Sequence, residues 1–199
     1  MSRPLLILDL DETLIYGSTT PSASEPDFRC GDYFIHKRPF VDEFIGACSR
    51  PYALAVWTSS TSDYARCLTQ RLFVDVPLEF LWARDRCTCR FDAELQDHYW
   101  VKDLRKVRRA GFDLSRVLVV DDTPQKLERN YGNLVVVPEF TGDFADRELP
   151  GLARYLLSLA ESEEDFRNVE KRRWRTAGSH DTPLDPTVAK RARKSAPPR

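Results

Sequence analysis

Long apolar runs are missing from this 199-residue sequence, and so are clustered histidines. A membrane-spanning helix needs roughly 20 consecutive apolar residues, and no stretch approaches that length. The N-terminal segment reaches Asp9 and Asp11 before the apolar core of a signal peptide could form. We therefore expect neither a transmembrane protein nor a secreted one, and no membrane partner. The three histidines lie in separate segments and receive no role: His36, His98 and His180.

Cysteine pairs with metal-binding spacing are also missing. The five cysteines make an odd number, and no two of them are separated by two residues. This usage predicts neither a disulfide framework nor a zinc site, and it favours a reducing compartment. The expected location is the cytoplasm, with the nucleus as the alternative in a eukaryotic host. Cys87 and Cys89 flank a single residue, and buried or idle thiols are favoured there over a metal or redox role.

An overall excess of one charge is absent, because 30 Lys or Arg face 31 Asp or Glu. Residues 171–199 nevertheless contain nine Lys or Arg and only two Asp. Large apolar residues almost disappear from about residue 177 onward. We therefore predict one globular domain over residues 1–175 and a disordered basic tail over residues 176–199. A solubilising role for the tail is favoured over nucleic-acid binding or a nuclear signal, so we expect no nucleic-acid partner.

Short apolar segments of strand length alternate with segments of helical spacing. The predicted strands are residues 5–8, 53–57, 117–120 and 134–137, and the predicted helices between them cover residues 40–48, 64–72, 104–111 and 124–132. This alternation predicts an α/β fold, an open parallel sheet with helices on both faces. Leucines at 149, 152, 156 and 159 predict a C-terminal helical extension that packs on it.

Polar residues follow the predicted strands at the edge where such sheets bind ligands. Asp9 and Asp11 follow the first strand and Thr58 and Ser59 the second, while Asp121 and Asp122 end the third and Lys102 opens a helix. Each feature alone is explained as well by turns, helix caps or surface residues. Together they offer a carboxylate nucleophile, a second carboxylate for proton transfer, a cation, hydroxyl donors and acids for Mg²⁺. The set therefore favours phosphoryl transfer.

These motifs resemble those of the haloacid dehalogenase superfamily. The segments 8–14, 37–44, 57–60 and 101–104 (LDLDETL, KRPFVDEF, WTSS and VKDL) are more closely similar to the phosphatases of the RNA polymerase II C-terminal domain and their small, NLI-interacting-factor-like relatives. The resemblance covers residues 4–160. It implies a Rossmann-like core with a minimal cap.

The resemblance also implies a role for each residue. Asp9 is expected to attack phosphorus and form an aspartyl-phosphate, and Asp11 to act as acid and then as base. The expected phosphate-binding residues are Thr58, Ser59 and Lys102. The expected Mg²⁺ ligands are Asp9, the backbone carbonyl of Asp11, and Asp122, with Asp121 beside them. Close relatives usually carry Asp-Asn where this chain has Asp121-Asp122, and an aspartate there still suits a hard cation.

The two apparent insertions, residues 15–39 and 73–101, are too short to form a separate cap domain. An open site favours a phosphorylated protein or peptide, hence phosphoserine or phosphothreonine, as substrate. The alternatives are a phosphatase of small-molecule or nucleic-acid 3′-phosphate esters, or a catalytically silent scaffold with the same fold. We take a monomer as the default state.

Overall fold

A computed structural model describes residues 3–22, 24–94 and 96–177. The predicted tail lies outside the described residues from residue 178 onward. The helices are α1 (Val41–Cys48), α2 (Ser62–Leu72), α3 (Arg105–Arg109), α4 (Glu148–Ala160) and α5 (Trp174–Ala177). The strands are β1 (Leu5–Leu8), β2 (Ile15–Ser18), β3 (Phe28–Cys30), β4 (Tyr33–Lys37), β5 (Ala53–Trp57), β6 (Leu78–Trp82), β7 (Thr88–Asp92), β8 (Asp97–Val101), β9 (Val117–Asp121) and β10 (Leu134–Val136). Within the described ranges, no helix is long and apolar enough to cross a membrane.

The main sheet has five strands in the order β10-β9-β1-β5-β6, and every pairing in it is parallel. All four residues of β1 are buried, because strands flank it on both sides and side chains cover both faces. Leu8 pairs with Val56 of β5 and with Val120 of β9, so these three strands end at one level. The predicted parallel α/β architecture is confirmed.

The sequence interpretation missed one strand of this sheet. Strand β6 lies at the edge and carries the exposed Glu79 among apolar residues, so it lacks the continuous apolar run of a central strand. Residues 73–101 are therefore not simply an insertion, because their first part completes the sheet. The antiparallel hairpin of β7 and β8 lies outside it.

Separate apolar cores lie on the two faces of the sheet. The larger core contains α1, α2 and α4, and the predicted leucine stripe of α4 is buried in it: Leu149, Leu152, Leu156 and Leu159. The Tyr52 hydroxyl donates a 2.6 Å hydrogen bond to the Leu156 carbonyl and so links the end of α1 to α4. The second core contains α3 and the edge-to-face pair Trp57–Trp82, whose ring centroids are 4.9 Å apart. The prediction of a C-terminal helix that packs on the core is correct.

The first insertion folds as a three-stranded antiparallel sheet in the order β2-β4-β3. A disulfide between Cys30 of β3 and Cys67 of α2 attaches this sheet to the main domain. The cysteine count predicted no disulfide framework and missed this single bond. An odd cysteine count does not exclude one pair, and these partners lie 37 residues apart, where no local spacing reveals them. Cys48, Cys87 and Cys89 are free thiols.

The segment 124–132 was expected to be a helix and is not. It consists of two 3₁₀ turns, Pro124–Leu127 and Tyr131–Asn133. The Lys126 carbonyl accepts a 2.7 Å hydrogen bond from the backbone N–H of Lys102, and the Asn130 side chain accepts one from the N–H of Leu104. These bonds tie the segment to the loop after β8, so the backbone cannot continue as an α-helix.

Candidate active site

Asp9 lies at the carboxyl edge of the sheet, directly after the central strand β1. Its side chain is 1% exposed, and its Oδ1 accepts a 2.8 Å hydrogen bond from the backbone N–H of Leu10. The Asp9 backbone N–H is bound to the Val120 carbonyl of β9, which fixes this residue against the neighbouring strand. The carboxylate is thus rigidly placed where ligands of such sheets bind.

Lys102 is fully buried beside Asp9. Its Nζ lies 3.0 Å from Asp9 Oδ2 and 2.6 Å from Asp121 Oδ2. An ammonium group removed from water is costly unless oppositely charged groups surround it, and two carboxylates do so here. The predicted residues Asp9, Lys102 and Asp121 therefore meet in one network, although they come from three different strand ends.

A second lysine, Lys126, contacts the same Asp9 oxygen as Lys102 and was not predicted. Its Nζ is 2.7 Å from Asp9 Oδ2, 3.4 Å from Asp121 Oδ1 and 3.5 Å from Asp122 Oδ1. In a presumed surface helix, a lone lysine gives no functional signal. The available signal was its position four residues after Asp122, in a turn that begins at the same sheet edge.

The two lysines determine the charge of Asp9. Burial by itself would raise the pKa of Asp9, but the ammonium groups of Lys102 and Lys126 outweigh burial and lower that pKa to about 2. Burial, together with the neighbouring Asp9 carboxylate, raises the pKa of Asp121 to about 6. At neutral pH, Asp9 is consequently an ionised carboxylate paired with two cations, and the ionised form is the one that a nucleophile requires.

Asp11 has different partners from Asp9. Ser60 donates a 2.6 Å hydrogen bond to its Oδ2, and the Tyr64 hydroxyl donates a 3.0 Å bond to its Oδ1. Burial raises the pKa of Asp11 despite these hydrogen bonds. The chain turns sharply at the next residue, Glu12, whose φ of 57° lies in the left-handed region. Two neighbouring acids thus differ in character, one strongly ionised and one closer to protonation, which is typical of a nucleophile and a general acid.

Three carboxylates form a cluster with the chemistry of a metal site. Oxygen atoms of Asp9, Asp121 and Asp122 lie within 4.8 Å of one another. The hydroxyls of Thr13 and Thr123 donate to the two oxygens of Asp122 and orient it. Carboxylate oxygens suit a hard divalent cation, so the donor set fits the predicted metal. The Asp11 side chain instead binds Ser60 and Tyr64, which leaves its backbone carbonyl as the group that was predicted to be a ligand.

The predicted phosphate-binding residues Thr58 and Ser59 follow β5. Thr58 is buried, and its Oγ1 accepts a hydrogen bond from the N–H of Ser60. The Ser59 carbonyl accepts a 2.6 Å bond from Arg84. Ser59 lines a cleft of about 290 Å³ together with Asp11, Glu12, Gly17, Tyr33, Ser60, Thr61, Tyr64, Arg84 and Lys126. The cleft gives access to Asp11 and Lys126 from solvent.

Residues 4–167 match the family of NLI interacting factor-like phosphatases. The chain belongs to this family. This membership confirms the resemblance inferred from the motifs.

Several known proteins are similar to this chain over most of its length. CTD small phosphatase-like protein 2 of Dictyostelium discoideum is 30% identical over 80% of this chain and 28% of its own length. Nuclear envelope morphology protein 1 of Saccharomyces cerevisiae is 31% identical over 82% of this chain and 40% of its own. CTD nuclear envelope phosphatase 1B of Danio rerio is 30% identical over 80% of this chain and 68% of its own. The chain thus spans less than half the length of the first two.

Solved structures share the fold of this NLI interacting factor-like domain. The fission yeast RNA polymerase II CTD phosphatase Fcp1 bound to beryllium fluoride superposes with a TM-score of 0.52 at 19% identity, over 83% of this chain and 53% of that chain. A second structure of Fcp1 gives a TM-score of 0.50 at 21% identity, over 91% and 55% of the two chains. These matches agree with the parallel sheet and its helices.

Proposed function

We propose that this chain is a magnesium-dependent phosphatase that hydrolyses phosphomonoesters through an aspartyl-phosphate on Asp9. The observation that carries the proposal is the Asp9 carboxylate, which is buried, ionised and held at 3.0 Å and 2.7 Å by Lys102 and Lys126. A phosphoryl group carries spread negative charge, so an attacking carboxylate is repelled unless nearby cations offset that charge. Family membership supports the same activity.

In the proposed reaction, an Asp9 oxygen bonds to phosphorus while the bond from phosphorus to the ester oxygen breaks. Asp11 donates a proton to the departing oxygen, and the alcohol leaves. Asp11 then takes a proton from a water molecule that attacks the aspartyl-phosphate, and inorganic phosphate and free Asp9 are released. The raised pKa of Asp11 favours its role as acid in the first half of this sequence.

Lys102 holds Asp9 in position, and the proposed role of Lys102, Thr58 and Ser59 is to bind the phosphoryl oxygens. Mg²⁺, held by Asp9, Asp122 and the Asp11 carbonyl with Asp121 beside them, would supply two positive charges that offset the charge of the phosphoryl group. The clustered oxygens of three aspartates support this assignment.

We further propose phosphoserine or phosphothreonine in a protein or peptide as the substrate. The short insertions leave the cleft beside Asp11 open, and the similar Fcp1 structure is named as an RNA polymerase II CTD phosphatase. No observation on the described residues favours small esters, nucleic-acid 3′-phosphates or a silent scaffold. The names of the nuclear envelope relatives support the nuclear alternative to the cytoplasmic expectation.

The test is hydrolysis of an aryl phosphate with and without Mg²⁺, using the wild type and Asp9→Asn. We expect magnesium-dependent turnover that Asp9→Asn abolishes. Asp113→Asn makes the same change at an exposed residue, whose side chain accepts a hydrogen bond from the Ser115 N–H. It serves as the matched control and should retain turnover. Equal turnover by Asp9→Asn and the wild type would contradict the proposal. Competition between phosphopeptides and 3′-phosphorylated oligonucleotides then tests the substrate class.

A further inference from the structure

The ammonium group of Lys126 lies among the same three carboxylates that form the proposed metal site. Asp9, Asp121 and Asp122 each have an oxygen within 3.5 Å of its Nζ. The oxygen atoms of these three residues also lie within 4.8 Å of one another. Lys126 therefore makes contact with every residue of the acidic cluster.

A divalent cation bound by these carboxylates would compete with the Lys126 ammonium for the same oxygens. Lys126 Nζ donates a 2.7 Å hydrogen bond to Asp9 and forms ion pairs with Asp121 and Asp122 at 3.4 Å and 3.5 Å. Carboxylate oxygens are also the ligands that Mg²⁺ prefers. Positive charges repel each other strongly in a buried, poorly screened site, so binding of the divalent cation disfavours this position of the ammonium.

The two lysines of the site differ in how easily they can leave. The Lys102 side chain is completely buried. The Lys126 side chain is 15% exposed and lines the open cleft. Lys126 also lies in a short 3₁₀ turn. The backbone of this turn is held by the hydrogen bond that the Lys102 N–H donates to the Lys126 carbonyl, which does not involve the Lys126 side chain. The Lys126 side chain can therefore withdraw into the cleft without unfolding the segment that carries it.

We propose that Lys126 is a built-in competitor of the divalent cation: its ammonium fills the acidic cluster in the metal-free protein and withdraws into the cleft when metal binds. The inference rests on the metal site of the proposed function. It assigns Lys126 two effects, stabilisation of the metal-free protein and weaker binding of divalent metal. A lysine with a merely structural role would produce only the first effect.

Mn²⁺ serves as the probe, because its free concentration can be measured by electron paramagnetic resonance without any turnover. We expect Lys126→Met to bind Mn²⁺ at least about tenfold more tightly than the wild type, since it lacks the competing charge. Arg84→Met removes the same charge from the same cleft. Because Arg84 bonds to Ser59 rather than to the three acids, this control should change the affinity by less than about threefold.

Thermal melting of the same proteins provides the reciprocal measurement. In EDTA, Lys126→Met should melt below the wild type, because three carboxylates then face only the Lys102 ammonium. Saturating Mn²⁺ should raise its melting temperature by more than it raises that of the wild type.

Labelling of the wild type by an amine-acylating reagent tests the movement directly and does not depend on the folding of any variant. Mass spectrometry should show that Mn²⁺ increases the labelling of Lys126 severalfold and leaves Lys37, which pairs with the exposed Asp42, unchanged. Equal Mn²⁺ affinity of Lys126→Met and the wild type, or unchanged labelling of Lys126 at saturating Mn²⁺, would overturn the inference alone. Absence of Mn²⁺ binding to both proteins would overturn the proposed metal site, and the inference with it.

Discussion

The Tyr64 hydroxyl donates a hydrogen bond of 3.0 Å to Asp11 Oδ1, joining α2 to the loop after β1. Ser60 donates to the other oxygen of the same carboxylate, so both oxygens are held by hydroxyl groups at the start of α2. Hydrogen bonds to a carboxylate stabilise its charged form, whereas burial stabilises the neutral form. The proton affinity of the proposed acid is therefore set by a balance that single substitutions can shift.

Tyr64→Phe removes one of these two donors. The pKa of Asp11 should rise further, because its charged form loses a hydrogen bond, and both limbs of the kcat-against-pH profile should move to higher pH. The measurement is kcat over pH 4 to 9 with an aryl phosphate. Tyr33→Phe is the matched control. The Tyr33 ring lies 4.9 Å from that of Tyr64, but its hydroxyl makes no bond to Asp11, so this variant should keep the wild-type profile. A shift in both variants would point to a general effect on the cleft.

Gly17→Ala tests the position of Tyr64 from the opposite side. A Cβ atom at Gly17 would lie 2.5 Å from the Tyr64 hydroxyl, so the tyrosine has to move away from Asp11. We expect kcat to fall about tenfold, with a pH profile like that of Tyr64→Phe. Gly46→Ala in α1 meets no atom within 4 Å and should retain full activity. Wild-type kinetics for Gly17→Ala would refute the steric argument.

Asp146→Asn tests the buried ion pair between Arg38, which follows β4, and Asp146, which lies just before α4. Arg38 is completely buried, and it donates two hydrogen bonds to Asp146, at 3.1 Å and 2.8 Å, and one to the Thr13 carbonyl. The substitution leaves the guanidinium without a counter-charge, so it should lower the free energy of unfolding at pH 7. We expect a loss of about 3 kcal/mol, the lower end of the range for broken buried ion pairs, because Asp146 is partly exposed. Urea denaturation measures this change.

The same ion pair predicts a pH dependence. Burial acts to raise the pKa of Asp146, but the hydrogen bonds and charge of Arg38, together with the backbone N–H of Glu148, outweigh burial and lower that pKa. The stabilisation is therefore complete above the unfolded-state pKa near 3.8 and disappears as the pH falls through the lower folded-state value. The difference between Asp146→Asn and the wild type should shrink in acid. Asp165→Asn, which breaks the exposed pair with Arg167, should change stability little at either pH.

Reduction of the Cys30–Cys67 disulfide should destabilise the protein. Its partners are separated by 37 residues. Closing a loop of that size lowers the entropy of the unfolded chain and so raises the free energy of unfolding by about 3 to 4 kcal/mol. Denaturant midpoints with and without reductant, for the wild type and Cys67→Ser, measure the effect. The wild type should lose stability on reduction, and Cys67→Ser should be insensitive to it. Cys89→Ser removes an exposed free thiol and should behave like the wild type.

The central part of the fold was predictable because buried parallel strands have an unmistakable pattern. The apolar runs of β1, β5 and β9 are covered on both faces, and the residues that follow them were correctly placed at one edge. The edge strand β6 was not predicted, because it is less completely buried and carries Glu79 among its apolar residues. The segment 124–132 was misassigned because long-range bonds to Lys102 and Leu104 override its local helical pattern.

Of the site, the sequence indicated the acids and Lys102 but neither Lys126 nor the partners of Asp11. The motif resemblance identifies residues by type and spacing, and Lys126 belongs to no motif. Tyr64 was predicted only as a residue of the helix over residues 64–72. Its hydroxyl reaches Asp11 because Gly17, in strand β2 of the small sheet, has no side chain to block it. A contact among residues of three separate elements has no local sequence signal. Contacts between distant elements, rather than the elements themselves, were the unpredictable part.

The central position of β1 determines the order in which parts of the protein unfold. Every residue of β1 pairs with β5 on one side and β9 on the other, so its amide hydrogens can exchange with solvent only when the whole sheet opens. Asp9 follows this strand without a break and is anchored to β9 through its own N–H. The proposed nucleophile is therefore carried by the part of the protein that opens last, and fraying at the edge strands β6 and β10 leaves its immediate support intact.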